Sequence, residues 1–443
     1  MKFQAPKGTR DYYPDEMAWR RHLEDAWRSV SIRNGFDEID GPIFESLDLY
    51  KAKSGEGIVA ELFHFRDRGD RELAIRPEFT PTLARMVASR ANTLPKPIKW
   101  FCMPNLCRAE RPQRGRLREF LQWNVDMLGL DTPAADAEVI YTAIDLLREL
   151  GLEPHHVKVK ISHRGVVRRI LVRLGVPEDR IEDAFELLDR RDKLPAEEFA
   201  KQAGELGLDE NTIERFNQVA RVHYSADGAW GQIKTRFSVP DEDLQDLEAL
   251  HTQLKAFGIA EWCEYDLGIV RGLAYYTGTV FEIHEVSGAE RAIAGGGRYD
   301  KLIEVFDGPP TAAVGFGMGD VVLSLVLADK GLLPEEVGPA ADVFVFAAEE
   351  EARTLVAPLV AKLRSLGLHA RFTYRTTTNV GKLLKEAGNS RARFAAILDG
   401  RTVSDSLVSL KDLQTGEQSE TTVQQLAEKL QPRNLSPCSE PKA

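Results

Sequence analysis

Hydrophobic and polar positions change rhythm several times along this 443-residue chain. Residues 15–34 read as a helix, and 36–46 (FDEIDGPIFES) as a strand interrupted by Pro42. The stretch 98–129 alternates enough for two strands joined by an arginine-rich loop. A helix is predicted over 133–150, with Thr132 as N-cap, Pro133 at its first position and Gly151 just past its end. Between about 166 and 255 the pattern is mostly helical and highly charged, and strand character returns at 266–284 and 311–318. Helical material between two strand-rich blocks predicts an insertion in an antiparallel-sheet domain.

The C-terminal part follows another rule. Residues 342–347 (DVFVFA) read as a buried strand. Segment 349–366 places Ala352, Leu355, Val356, Leu359, Val360, Leu363 and Leu366 on one helical face, stopped by Gly367. A strand-like run at 369–374, a short helix near 379–387, strands at 394–398 and 406–410, and a helix at 421–430 complete the pattern. Such alternation predicts a compact α/β domain with a mainly parallel sheet. Gly331, Pro334, Gly338 and Pro339 mark a linker before it. The expected class is α+β: an antiparallel-sheet domain over 1–165 and 256–328, a helical insertion over 166–255, a linker over 329–340 and an α/β domain over 341–432. Residues 433–443 are expected to be a disordered tail.

Composition narrows the function classes. With 43% hydrophobic and 29% charged residues the chain is globular, and its length exceeds one ordinary core. Cys102, Cys107, Cys263 and Cys438 are scattered without zinc-ligand or disulfide-framework spacing, and the nine histidines form no HxxxH or HxH cluster. No resident metal is expected, and a reducing compartment is. The N-terminus lacks an apolar targeting core, and no run approaches the ~18–20 apolar residues of a membrane span. A cytoplasmic protein without a membrane partner is therefore expected. Net charge of −11 argues against nucleic acid, DNA above all. Residues 341–432, however, carry 12 Lys+Arg against 11 Asp+Glu, so a near-neutral domain beside an acidic body leaves room for local attraction to a polyanion.

Five segments carry candidate chemistry. NLCRAERPQRGRLREFLQWNVDML (105–128) holds Arg108, Arg111, Arg114, Arg116 and Arg118 around a turn at Gly115. Guanidinium forks suit phosphate oxygens, although a solvated charged hairpin has the same pattern. In AIRPEFTPTLARM (74–86), Glu78 and Thr80 could jointly hold an ammonium group; an ordinary helix cap at Thr80 is the simpler reading of the spacing. RGLAYYTGTVFE (271–282) reads as strand, bend at Thr277-Gly278, and strand. It offers Arg271 as a fixed cation and Tyr275 and Tyr276 as hydrogen-bonding rings, or as core. AIAGGGRYDKLIE (292–304) removes side chains where something must approach closely, or simply turns; it lacks the Lys-Ser/Thr of a P-loop. GFGMGDVVLSLVL (315–327) is a glycine-spaced strand entering an apolar helix. Neither a GxSxG elbow nor a CxxC motif is present, so covalent catalysis has no support.

In this order the segments resemble the class II aminoacyl-tRNA synthetases, and within them the histidyl family. GTRDYYP (8–14) and GFDEIDGPIFE (35–45) are similar to the family's opening and motif 1, with Pro42 as the motif proline. RPEFT and CRAERPQRGRLREF resemble motif 2 and its flanks; RGLAYYTGTVFE and AGGGRYDKL resemble the two histidine-specific signatures. The resemblance covers about residues 3–430 and implies a class II catalytic domain with a helical insertion and a C-terminal anticodon-binding domain. It implies ATP with Mg²⁺, histidine and histidine tRNA as partners, and a homodimer. It also implies roles. Arg108 would hold the ATP α-phosphate opposite Arg271, and Arg116 the outer phosphates with Glu110 beside it. Glu78, Thr80 and Asp126 would receive the histidine α-ammonium, with Gln122 orienting the carboxylate. Tyr275, Tyr276 and Tyr299 would line the imidazole pocket. Such a reaction needs no protein nucleophile, because the substrate carboxylate attacks phosphorus. Three departures stand out: Ala274 replaces an aspartate, Asp126 a glutamate, and Val321 stands where motif 3 has its arginine. Arg116, another basic residue or Mg²⁺ is then expected to cover the outer phosphates. A histidine-sensing regulatory paralogue and an uncharged-tRNA-binding regulatory module are the alternatives.

Overall fold

The computed structural model describes residues 3–191, 194–219, 223–225, 229–270, 275–334 and 337–430. Arg271, Ala274 and the tail 433–443 lie outside the described residues. The chain divides into two compact units, Met1–Tyr12 with Leu23–Glu335, and Tyr13–His22 with Glu336–Ala443.

Helix α1 (Pro14–Arg33), which belongs to the first unit from Leu23 onward, precedes two short strands, β1 (Asp37–Glu38) and β2 (Phe44–Ser46), in place of the single strand expected across Pro42. Helix α2 (Leu47–Ser54), strands β3 (His64–Arg66) and β4 (Glu72–Ile75) and helix α3 (Thr80–Arg90) follow. Next come β5 (Ile98–Cys102), β6 (Asn105–Cys107) and β7 (Glu119–Leu128), then α4 (Pro133–Glu149) and β8 (Val157–His163). Helix α4 starts where the sequence predicts: the Thr132 side chain accepts from the Ala135 amide, and Gly151 takes φ +80° beyond the end.

Between β8 and the next core strand run α5 (Arg164–Arg173), α6 (Ile181–Asp189), α7 (Ala196–Glu205), α8 (Glu210–Val219), β9 (His223–Ser225), α9 (Ala229–Phe237) and α10 (Gln245–Ala256). Among the described residues of this stretch the elements are helical except for β9, which pairs antiparallel with β10 (Cys263–Asp266). Strands β11 (Thr279–Glu285), β12 (Ala294–Arg298) and β13 (Ala313–Gly319), with the short helix α11 (Leu302–Val305) and α12 (Asp320–Asp329), complete the unit. Residues 275–278 are loop, not the strand predicted before the bend. The main sheet runs β1-β5-β7-β13-β12-β11-β8-β10-β9, with β6 also paired to β7. From β5 to β8 every neighbour is antiparallel.

Period-two alternation sorts β7 and β13 into two faces. On one face Trp123 and Val125 of β7 register with Met318 and Phe316 of β13. There Trp123 stacks on Trp27 of α1 at 6.2 Å and meets Phe316 edge-on at 5.0 Å, and its indole donates to Ser31 at 2.9 Å. On the other face Gln122, Asn124 and Asp126 lie opposite Gly319, Gly317 and Gly315. One face is packed core; the other is a floor with side chains on one strand only.

A buried ion pair ties this sheet to α4. Arg298, at the end of β12, donates to Asp136 at 2.6 Å, to the Leu130 and Thr132 carbonyls at 3.1 and 3.2 Å, and to Asp300 at 3.2 Å. Asp136 also accepts from Thr279 of β11 at 2.9 Å.

The second unit contains β14 (Val343–Ala347), α13 (Arg353–Ser365), β15 (Ala370–Phe372), α14 (Val380–Asn389), β16 (Phe394–Leu398), α15 (Gly400–Asp405), β17 (Leu407–Asp412), β18 (Gln418–Thr422) and α16 (Leu426–Lys429). The sheet order is β15-β14-β16-β17-β18. Its first two pairings are parallel and its last two antiparallel, so it is mixed and not mainly parallel. Strand β17 runs antiparallel to β16, and in place of a helix over 421–430 Gly416 at φ +78° closes a hairpin of β17 with β18 and leaves a helix of only one turn.

Removing one member of a buried ion pair strands the other charge, at a cost of about 3–5 kcal/mol. Arg298→Met should therefore lower the stability of the first unit by that order in urea unfolding, and Arg298→Met with Asp136→Leu should recover most of it. A loss under about 1 kcal/mol for the single variant would remove Arg298 from this role.

Candidate active site

The cleft over the side-chain-poor floor has a volume of about 600 Å³. Its floor is bare because a side chain would collide: a Cβ at Gly315 would lie 2.0 Å from the Asp126 carboxylate, and one at Gly317 2.8 Å from the Gln122 amide. The glycine run of β12 is a strand, not a turn. A Cβ on Gly297 would meet the Tyr276 ring at 2.9 Å, and one on Gly296 the Gly315 carbonyl at 2.3 Å. These glycines allow close packing and ligand approach together.

One wall is cationic. Arg108 and Arg116 line the cleft, presented by the loop between β6 and β7. Gln113 and Arg116 close the tip by reciprocal backbone hydrogen bonds, which puts Gly115 at φ +73°. The Arg108 Nε donates to the Pro77 carbonyl at 3.0 Å, and its guanidinium lies 5.1 Å from the Phe120 ring. Arg116 pairs with Glu110 at 2.8 Å. The remaining arginines divide differently. Arg118 donates to the Glu110 carbonyl at 3.2 Å, Arg114 donates to Glu290 at 2.6 Å, and Arg111 is exposed and away from the cleft. Two of the five thus face the cleft, and two fasten the hairpin.

The other end of the cleft is acidic and aromatic. Buried Arg76 anchors RPEFT, donating to Asp40 and the Gly41 carbonyl at 2.9 Å and to the Asn105 carbonyl at 3.0 Å. This brings Glu78 and Thr80 to the cleft; Thr80 opens α3 without a side-chain cap. Tyr275 and Tyr276 pack 4.6 Å apart, and Tyr275 meets Tyr299 edge-on at 6.1 Å. Tyr299 donates a short hydrogen bond to Asp126. Burial pushes the Asp126 carboxyl up to about 7 against the opposing effect of that bond. Asp126, expected with Glu78 at an α-ammonium, is hydrogen-bonded to Tyr299 and so also adjoins the tyrosines.

Glu78, Thr80, Arg108 and Arg116 therefore share one cleft with Glu110 and Gln122, and with Asp126, Tyr275, Tyr276 and Tyr299. Arg271 lies outside the described residues. The missing motif 3 arginine falls, counted as Gly-x-Glu-Arg from Gly319, at Val322 and not Val321; both valines line the cleft. The neighbouring Asp320 pairs with Arg10 at 2.7 Å and accepts the Leu121 amide at 3.0 Å.

Several residues in or beside the cleft escaped the sequence reading. Lys53, its side chain fully buried, pairs with Glu78 and stands 4.0 Å from the Tyr275 ring centre. No motif pointed to it. Phe120 offers an aromatic face beside Arg108. Arg291 enters from the β11–β12 connection, one residue before the glycine-rich segment as it was delimited. Glu282 and His284, joined at 2.8 Å, complete that side. Among the described residues no cluster of three or more His, Cys, Asp or Glu is placed to hold a metal, and no helix is long and apolar enough to cross a membrane.

An antiparallel sheet with a glycine floor, an arginine hairpin over it and a separate C-terminal α/β unit defines the class II aminoacyl-tRNA synthetase architecture. Residues 8–319 match the family model for histidyl-tRNA synthetase, and 342–433 that for an anticodon binding domain. Histidine–tRNA ligase of Opitutus terrae is 38% identical over 421 residues, 93% of this chain and 94% of that protein. The chloroplastic/mitochondrial ligase of Arabidopsis thaliana is 36% identical over 93% of this chain and 84% of its own length. In fold, histidyl-tRNA synthetase from Nostoc superimposes with a TM-score of 0.80 at 24% identity, over 97% of this chain and 99% of the other. The chain belongs to the histidyl-tRNA synthetase family.

A carboxyl raised from 3.8 to about 7 binds its proton more tightly in the folded chain. Its stabilising contribution is complete below about pH 4 and is lost as pH climbs through 7. Asp126→Asn retains an acceptor for Tyr299 but cannot ionise. Its melting temperature relative to the parent should climb between pH 4 and 7 and level off above pH 8. A difference independent of pH would show that Asp126 does not titrate in that range.

Proposed function

We propose that this protein is a histidine–tRNA ligase, acting in the cytoplasm on histidine, MgATP and histidine tRNA. The observation that carries the proposal is one cleft holding arginines at one end and a buried carboxyl among tyrosines at the other. That polarity fits a triphosphate laid against a zwitterionic amino acid with a polar ring.

In the first step a histidine carboxylate oxygen bonds to the α-phosphorus. The bond from that phosphorus to the bridging oxygen breaks, and pyrophosphate leaves with the electron pair. Arg108 and Arg271 neutralise charge on the α-phosphate, while Arg116 and Glu110 attend the nucleotide's outer part. Phe120 gives the adenine a flat apolar surface. Mg²⁺ arrives on the triphosphate as part of the substrate, and Glu110 and Glu282, which line the cleft, would hold its water shell. Glu78 and Thr80 receive the α-ammonium, Lys53 balances Glu78, and Gln122 orients the carboxylate. Asp126, with Tyr299 behind it, reads an imidazole N–H alongside Tyr275 and Tyr276. A ligand without that donor leaves a buried acceptor unsatisfied, which is a strong basis for rejection. In the second step a terminal ribose hydroxyl of the tRNA attacks the carbonyl carbon. AMP departs and a proton is released. The C-terminal unit, with its anticodon-binding match, holds the other end of the tRNA.

A homodimer completes the proposal. The small sheet β2-β4-β3 and its flanks expose Ile43, Phe44, Phe63 and Phe65, with Phe44 and Phe65 in edge contact at 6.2 Å. Such an apolar patch suits a two-fold, self-complementary contact.

Histidine-dependent ATP–pyrophosphate exchange followed by charging of histidine tRNA tests the ligase. A histidine sensor or a tRNA-binding module would bind without forming the ester, so absence of both products rejects the proposal. Arg271→Ala should abolish exchange with the circular dichroism spectrum unchanged; activity within a few-fold of the parent would remove its assigned role. Phe65→Glu should shift sedimentation from dimer toward monomer, and an unaltered dimer would put the interface elsewhere.

A further inference from the structure

We propose that Arg291 is a second outer-phosphate ligand beside Arg116, supplying from the β11–β12 connection the positive charge that the start of α12 lacks. The inference rests on the ligase reading. Helix α12, DVVLSLVLAD, contains no lysine or arginine, and it faces the cleft through Val321 and Val322. The motif position is thus apolar. Arg291 approaches the same hairpin tip: from a Cβ placed on Gly115, Val322 Cγ2 lies 3.3 Å away and Arg291 Cδ 3.5 Å away. The arginine stem and Val322 therefore both lie under the tip and line the cleft there.

Its charge has no fixed counter-ion. Arg116 has Glu110 and Arg114 has Glu290, but among the described residues Arg291 makes no ion pair or hydrogen bond. Burial holds the Arg291 guanidinium below its ordinary range, followed by the positive charge of Arg116, with Arg108 adding to it and Glu110 and Glu282 opposing. Three guanidinium groups gathered around two carboxylates, one of them already paired with Arg116 and the other with His284, form a site for a polyanion. Its place next to Arg116, the residue assigned to the outer phosphates, selects the β- and γ-phosphates. When the bond between α-phosphorus and bridging oxygen breaks, the electron pair settles on pyrophosphate. There a guanidinium fork stabilises the departing charge.

The test uses the full chain in histidine-dependent ATP–pyrophosphate exchange, with calorimetric binding of ATP and of AMP. Arg291→Ala should reduce kcat/KM for ATP by about 10–100-fold, the range of one charge-assisted contact. KM for histidine should stay within about twofold. ATP affinity should fall while AMP affinity holds, because AMP lacks the phosphates in question. Arg291→Ala with Val322→Arg should recover part of the loss by restoring a cation on α12. Unchanged ATP kinetics, or equal weakening of ATP and AMP, would overturn the assignment. Absence of exchange in the parent protein would instead reject the ligase reading, and the ATP–AMP comparison would still test Arg291 as a phosphate ligand.

Discussion

The buried pair between Arg298 and Asp136 is the constraint on which the cleft depends. Arg298 closes β12, Asp136 lies in the first turn of α4, and Thr279 at the start of β11 bonds the same carboxylate. One charge pair thus fixes two strands and a helix. Tyr299 follows Arg298 directly, so its hydroxyl reaches Asp126 only while that corner is locked. Low local dielectric strengthens such a network when every member is satisfied, and penalises it heavily when one is missing.

From that corner outward, the cleft is built by subtraction as much as by placement. Glycines at 315, 317 and 319 leave β7 as the floor strand that supplies side chains. The charge distribution then follows chain order. Arginines enter from a hairpin and from the β11–β12 connection, whereas Glu78 comes from the segment before α3, Asp126 from β7, and the tyrosines from the residues before β11 and after β12. Opposite polarities at the two ends orient a ligand before any individual contact is made.

Much of this was legible in the sequence because the signals were local. Thr132, Pro133 and Gly151 bracket α4 by backbone chemistry alone, and the strand at 394–398 stands where its apolar run put it. The family motifs brought Glu78, Arg108, Asp126 and Tyr299 into view because each sits in a recognisable string. Other features were hidden for physical reasons. β18 (Gln418–Thr422) is polar and mostly exposed, so it carries no apolar alternation; pairing with β17 makes it a strand. The AGGG run is open in sequence between a turn and a site of close approach, because glycine's freedom is local while the approach that demands it is tertiary. Lys53 lies on a short helix with no motif, and only the fold brings it to Glu78. The partnership of Asp126 with Tyr299 spans 173 positions and could not be read from either neighbourhood.

The topology also bears on how the protein is made. Strand β7 ends at Leu128, but its neighbour β13 is finished only at Gly319, after the whole insertion has been translated. At ribosomal speeds of about 5–20 residues per second, that gap lasts roughly 10–40 s. Throughout it, one long edge of β7 lacks its pairing partner and Trp123 lacks Phe316. The nascent chain therefore presents an open, aromatic strand edge during synthesis, which makes the first unit a natural client for chaperones that bind emerging polypeptides.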